Sequence, residues 1–173
     1  NADIIWSLYY GGSSGDRGQA IQTDFNNDLI IVGETESADL PILLGSQLTK
    51  NLSDDGFLAK FNNSGVRQWS TFYGGDGFDI LNSLAVDSSN NIYVTGTTAS
   101  TDLAFPSSGI TTQAINNGGL SDLVVAKFGA NGFPMWGTYY GGNDVDEGAS
   151  LAVNNQDAII VTGRTRSVDF LTT

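Results

Sequence analysis

Carboxylates dominate the reactive side chains of this chain. Its 173 residues hold sixteen Asp and three Glu against seven Lys and Arg, and neither His nor Cys. That inventory removes Ser-His-Asp and Cys-His nucleophilic catalysis, imidazole or thiolate zinc sites, His-ligated haem and disulfides. What remains is oxygen chemistry, either a hard cation such as calcium or acid–base work by paired carboxylates. The metal candidates are Asp76 with Asp79, and Asp144 with Asp146 beside Glu147, with Gly carbonyls to complete a calcium shell. Gly74-Gly75-Asp76-Gly77-Phe78-Asp79-Ile80-Leu81 also fits the G-G-x-G-x-D-x-U turn of calcium-binding β-rolls. Such turns share ions only when they recur about every nine residues, and here the equivalent strings lie far apart and read Gly11-Gly12-Ser13-Ser14-Gly15-Asp16 and Gly141-Gly142-Asn143-Asp144-Val145-Asp146. The preferred role for the in-register Asp16, Asp79 and Asp146 is structural: a carboxylate that accepts backbone N–H bonds and fixes a turn. No cofactor is expected on that account, and calcium is the alternative.

Other reactive groups have plain structural explanations. Glu34 with Glu36, or Asp54 with Asp55, would serve a glycosidase only if both carboxyls faced one bond. Sequence neighbours on a strand point apart or lie on a loop, so a solvated face is the default. Lys60 and Lys127 share a register, and each is expected to reach from its strand to a nearby Asp. Trp6, Trp69 and Trp136 could stack on sugars, but a Trp recurring at one position is expected to be a packing anchor. A formal charge of −12 with a pI near 4.1 repels phosphate backbones and anionic membrane surfaces, so no nucleic-acid partner and no membrane insertion are expected.

The elements that position these groups repeat. Trp6-Ser7-Leu8-Tyr9-Tyr10-Gly11-Gly12 returns as Trp69-Ser70-Thr71-Phe72-Tyr73-Gly74-Gly75 and as Trp136-Gly137-Thr138-Tyr139-Tyr140-Gly141-Gly142. The spacings of 63 and 67 residues suit one small antiparallel sheet per repeat. After each Gly-Gly comes a short apolar segment, such as Ser83-Leu84-Ala85-Val86. An Asp/Asn/Ser turn follows, such as Asp87-Ser88-Ser89-Asn90-Asn91, whose residues tolerate left-handed geometry. The returning strand, Ile92-Tyr93-Val94-Thr95-Gly96, is apolar almost throughout, which predicts cover on both faces. A looser polar stretch of variable length then precedes Phe57-Leu58-Ala59-Lys60-Phe61 or Leu123-Val124-Val125-Ala126-Lys127-Phe128, a turn, and the next Trp strand.

Four strands per repeat, tight turns and both faces covered predict an all-β chain of β-propeller blades. The strings Phe57 to Gly75 and Ser83 to Gly96 resemble the SBBP-type β-propeller repeats of secreted and surface bacterial proteins. By further resemblance to NHL-type blades, Ser83–Val86 is the innermost strand A, Ile92–Thr95 is B, Phe57–Phe61 is C and Trp69–Tyr73 is the outer strand D. The expected layout is an outer strand D at 1–12, blades at 13–75 and 76–142, and a partial blade at 143–173. That makes eleven strands and under three blades, a segment of a larger propeller. The resemblance implies a non-catalytic extracellular or cell-surface scaffold that binds a protein or glycan partner through loops such as Leu40–Ser53 and Leu103–Ser121. The alternatives are a lectin with one site per blade, or part of a polysaccharide-acting lyase or hydrolase.

Overall fold

The computed structural model describes residues 3–106, 113, 115–116 and 118–170. They form ten strands and no helix: β1 (Asp16–Thr23), β2 (Leu29–Thr35), β3 (Asp55–Phe61), β4 (Arg67–Tyr73), β5 (Asp79–Val86), β6 (Ile92–Thr98), β7 (Asp122–Phe128), β8 (Pro134–Tyr140), β9 (Asp146–Val153) and β10 (Ile159–Thr165). Three separate antiparallel sheets result, β1-β2-β3-β4, β5-β6-β7-β8 and the hairpin β9-β10. This is the expected A-B-C-D order, two full blades and a third begun.

The turns form where the sequence places them. Asn27, Asn90 and Asp157 take left-handed φ values of 61°, 63° and 58° at the A–B turns. The first turn residue caps each one: Asp24 Oδ1 accepts the N–H groups of Asn26 and Asp28, and Asp87 Oδ1 those of Ser89 and Asn91. In every A strand one residue bulges out of register, between Gly18 and Ala20, between Leu81 and Ser83, and opposite the Thr162–Gly163 step. The bulge drives the A-strand backbone against the B strand, which is why Gly recurs there. A Cβ on Gly33, Gly96 or Gly163 would stand 1.9, 1.8 or 2.0 Å from the carbonyl oxygen of Arg17, Ile80 or Glu147.

Packing runs from blade to blade. One cluster joins Ile30, Val32 and Leu58 of the first blade to Leu81, Leu84, Val94, Val124 and Phe128 of the second. Every residue of β3 is buried, as are nearly all of β6 and β7, whereas β1 and β10 are mostly exposed. Near-continuous apolarity in the middle strands reflects cover on both faces, by a blade on one side of β3 and by Tyr10, Leu40 and Ile42 on the other.

Two expectations differ from the structure. Trp6–Tyr10 does not pair as a strand, so the strands number ten among the described residues. Strand D pairs with strand C of its own blade, as β4 does with β3, and among the described residues no strand pairs with residues 6–10. Tyr9 accordingly stays exposed while its counterparts Phe72 and Tyr139 are buried. The B–C connection is also not loose. Leu43 forms a bridge with Ser70, and the Ser70 and Phe72 N–H groups donate to the Leu43 and Gln47 carbonyls at 2.8 and 3.2 Å. The connection thus covers the open edge of β4, whose backbone groups would otherwise lack partners. In the second blade the Tyr139 N–H donates to the Gln113 carbonyl in the same way. Residues 107–112, 114 and 117 of that connection lie outside the described residues, as do residues 1–2 and 171–173 at the two ends.

Candidate functional site

The acidic residues collect at the blade junctions, where one arrangement is built three times. Asp16, Asp79 and Asp146 open their A strands, and each accepts through Oδ2 the N–H of the second Gly of the preceding Gly-Gly, at 2.7, 2.9 and 2.7 Å. Thr35 and Thr98 donate their hydroxyls to Oδ1 of Asp16 and Asp79. Ser37, Ser100 and Ser167 donate to Oδ2 at 3.0, 2.6 and 2.7 Å. A second carboxylate caps the same loop: Asp39, Asp102 and Asp169 accept the N–H of Ser13, Asp76 and Asn143. The loop after each Gly-Gly is thereby tied to the far end of its own A–B hairpin.

The calcium candidates are distributed by this geometry. Asp79 and Asp146 are buried in the caps. Asp76 accepts the Thr101 N–H and hydroxyl at 2.8 and 3.1 Å, and Asp144 accepts the Val145 N–H at 2.7 Å. Among the described residues no three Asp or Glu side chains converge on a common metal position. Asp76 and Asp79 therefore serve different donors, although two residues separate them.

Sequence reasoning missed the partners. The string Gly-x-Thr-x-Ser-x-Asp occurs at Gly33–Asp39, Gly96–Asp102 and Gly163–Asp169, and its fixed spacing was the available signal. Asp55, expected on a solvated face beside Asp54, is the other correction. It lies fully buried at the start of β3 and accepts the Gln47 side-chain amide at 2.9 Å. Gly74 separates it from Asp79, since a Cβ there would stand 2.7 Å from Asp55 Oδ1 and 2.9 Å from Asp79 Oδ2. Burial pushes the Asp79 pKa up to about 6 against its hydroxyl and N–H donors, with the Asp55 charge adding to the rise. Burial raises Asp55 as well. The glycosidase pairs do not assemble: Glu34 binds Arg17 at 2.8 Å, and Asp55 turns into the junction without Asp54.

The lysines and tryptophans take structural roles. Lys60 Nζ lies 2.7 Å from Asp24 and 3.3 Å from Asp28, and Lys127 Nζ lies 3.4 Å from Asp87. Burial alone would raise Asp24 and Asp87. Hydrogen bonds from Lys60 and the turn N–H groups at Asp24, and from Asn91 and Ser89 with the Lys127 charge at Asp87, hold both below the usual carboxylate range. Trp69 is 5 % exposed and donates its indole N–H to the Ala130 carbonyl of the next blade.

Comparison with known proteins agrees with this architecture. Residues 68–104 match the family model described as a β-propeller repeat, SBBP. The match runs from the outer strand of the first blade through the A–B hairpin of the second. The chain is also similar to an uncharacterised WD repeat-containing protein of Acanthamoeba polyphaga mimivirus, at 26 % identity over 180 residues, covering 93 % of this chain and 13 % of the relative. It therefore spans about an eighth of that relative's length.

Proposed function

We propose that these blades are a non-catalytic scaffold, displayed outside the cell or on its surface, that binds a protein partner through the B–C connection. The observation that carries this is an anchored loop with apolar side chains in water. Leu44, Leu48 and Leu52 are 72 %, 64 % and 103 % exposed, while the same loop is pinned to β4 through Leu43 and Gln47. Leu44 moreover sits at a φ of 54°, a left-handed conformation unfavourable to a branched side chain. A loop held rigid has little ordering entropy left to lose on binding. Leucines favour a protein surface over a glycan, and Trp69 is buried against the next blade. This reading calls on no catalytic group and no cofactor.

The test is photo-crosslinking from position 48 of the full chain on the source cells, followed by calorimetry with the captured protein. The triple variant Leu44→Ser, Leu48→Ser, Leu52→Ser should bind that protein at least about tenfold more weakly. Unchanged affinity, or a glycan array responding to one sugar class, would replace this reading.

A further inference from the structure

The joint between the two complete blades closes over two carboxylates. Asp55 opens β3 of the first blade and Asp79 opens β5 of the second, and they are 0 % and 3 % exposed. Gly74 lets them face one small space, since a Cβ there would press on Asp55 Oδ1 from one side and on Asp79 Oδ2 from the other. Neither makes an ion pair: among the described residues Arg17, Lys60, Lys127 and Arg164 all join other carboxylates. Asp55 Oδ1 has no hydrogen-bond donor among the described residues. Beside it the Asp79 N–H donates to the Asp54 carbonyl at 2.8 Å, a backbone bond that crosses the joint. The same placement recurs one blade further on, where Gly141 stands between Asp122 and Asp146.

The two carboxylates are held where they are. Asp55 Oδ2 accepts the Gln47 side-chain amide at 2.9 Å and the Asn51 N–H at 3.2 Å. Asp79 is fixed by the Thr98 and Ser100 hydroxyls and the Gly75 N–H. The groups around them do not neutralise the pair. Lys50 lies near Asp55, yet its Nζ donates to the Asn51 and Ser53 carbonyls, and Asp54 adds a second negative charge on that side. Asp76 and Asp102 cap N–H groups on the exposed side of the loop that follows Gly74. The Tyr73 and Tyr139 phenols face Asp79, and burial raises both above their ordinary value, so they stay neutral. Two negative charges fixed this close in a dry site repel strongly, and taking up one proton relieves the repulsion.

We propose that Asp55 and Asp79 carry one proton between them and that this proton latches the first blade to the second, the joint slackening as rising pH removes it. Burial, opposed by the hydroxyl and N–H donors and aided by the Asp55 charge, pushes Asp79 up to about 6, and burial raises Asp55. The folded joint therefore keeps a proton that the unfolded chain, with carboxyls near 4, has given up. Its contribution is complete in acid and is lost as pH rises through about 6. The exposed leucines play no part in this, so it stands or falls separately from the partner-binding reading.

The test follows the carboxyls and the joint in the full chain. With aspartate labelled at its carboxyl carbon, NMR from pH 3 to 8 should show Asp55 and Asp79 titrating as one coupled pair. Asp55→Asn should lower the proton affinity of Asp79 at least about tenfold, whereas Asp54→Asn should change it by less than about threefold. An Asp79 titration unmoved by Asp55→Asn would leave burial as its whole cause and overturn the inference. A second measurement needs no variant. In the native protein, hydrogen-exchange protection of the Asp79 amide, corrected for the intrinsic rate, should fall at least about tenfold between pH 5 and 8. The Asp87 amide, which donates to the Asn91 carbonyl beyond the other end of β5, should keep its protection within about threefold. Constant protection at Asp79, or an equal loss at both amides, would show that the proton does not latch this joint.

Discussion

At the scale of single residues, this chain spends its charge on caps, and their protonation sets how stability varies with pH. Burial raises Asp79 to about 6 in the folded chain, above the ordinary value near 4 of the unfolded one. The folded state therefore holds a proton that the unfolded state has released, and stability falls as pH climbs from about 4 to 6. Asp24 and Asp87 are lowered and act in the opposite sense, losing their contribution as pH drops below the usual carboxylate range. Melting curves from pH 3 to 8 should thus peak between about pH 4 and 5, and Asp79→Asn should flatten the alkaline decline. A Tm rising steadily to pH 8 would contradict the assignment. The buried Lys60–Asp24 pair is the costliest to break: Lys60→Ala strips Asp24 Oδ2 of its donor and its charge partner and should cost about 3 kcal/mol in urea denaturation. Lys127→Ala should cost less, because its Nζ lies 3.4 Å from Asp87, whose Oδ2 also accepts the Asn91 side-chain amide and the Tyr93 hydroxyl. If the caps are complete without metal, EDTA should leave Tm unchanged, and a calcium-dependent rise would reassign Asp76, Asp79, Asp144 and Asp146 as ligands.

At the scale of elements, each hairpin depends on a bulge and on the glycine facing it. Gly96→Ala would place a Cβ 1.8 Å from the Ile80 carbonyl, which neither strand can relieve without breaking the β5–β6 ladder, so a loss of about 3 kcal/mol is expected. Gly18→Ala is the control. Nothing lies within 4 Å of its Cβ, and the less flexible unfolded chain should make it neutral or stabilising by about 0.4–1 kcal/mol. Equal losses in the two would disprove the close-approach account. Strand order, the A–B turns and the capping Asp after Gly-Gly were legible in the sequence, because turn chemistry and β-branched runs act locally and recur in each copy. The clamp of the B–C connection on β4 was not. It depends on single positions, Gln47 with Thr71 and Gln113 with Thr138, scattered through stretches of different length. Asp55 was illegible for a related reason: beside Asp54 it reads as a solvated pair, and only the fold turns it toward Asp79. Trp6–Tyr10 repeats the strand-D motif closely yet forms no strand, since pairing needs a neighbour that no local signal can supply.

At the scale of the whole molecule, blades that touch only their neighbours make stability a matter of position along the stack. β6 pairs on both edges, shares a buried cluster with the first blade through Ile92 and Val94, and packs on β9 through Tyr93, whereas β10 pairs on one edge and presents most of its residues to water. An amide in β10 can exchange by opening one hairpin, but an amide in β6 requires both interfaces of the second blade to separate. Native-state hydrogen exchange should therefore show Ile92–Thr98 protected by about two orders of magnitude more than Ile159–Thr165, with β1 also below β6. Uniform protection would mean that all three sheets open as one cooperative unit, and the description as a stack would fail. The gradient also localises the effect of a substitution. Lys60→Ala should lower protection in the first blade and little in β9–β10.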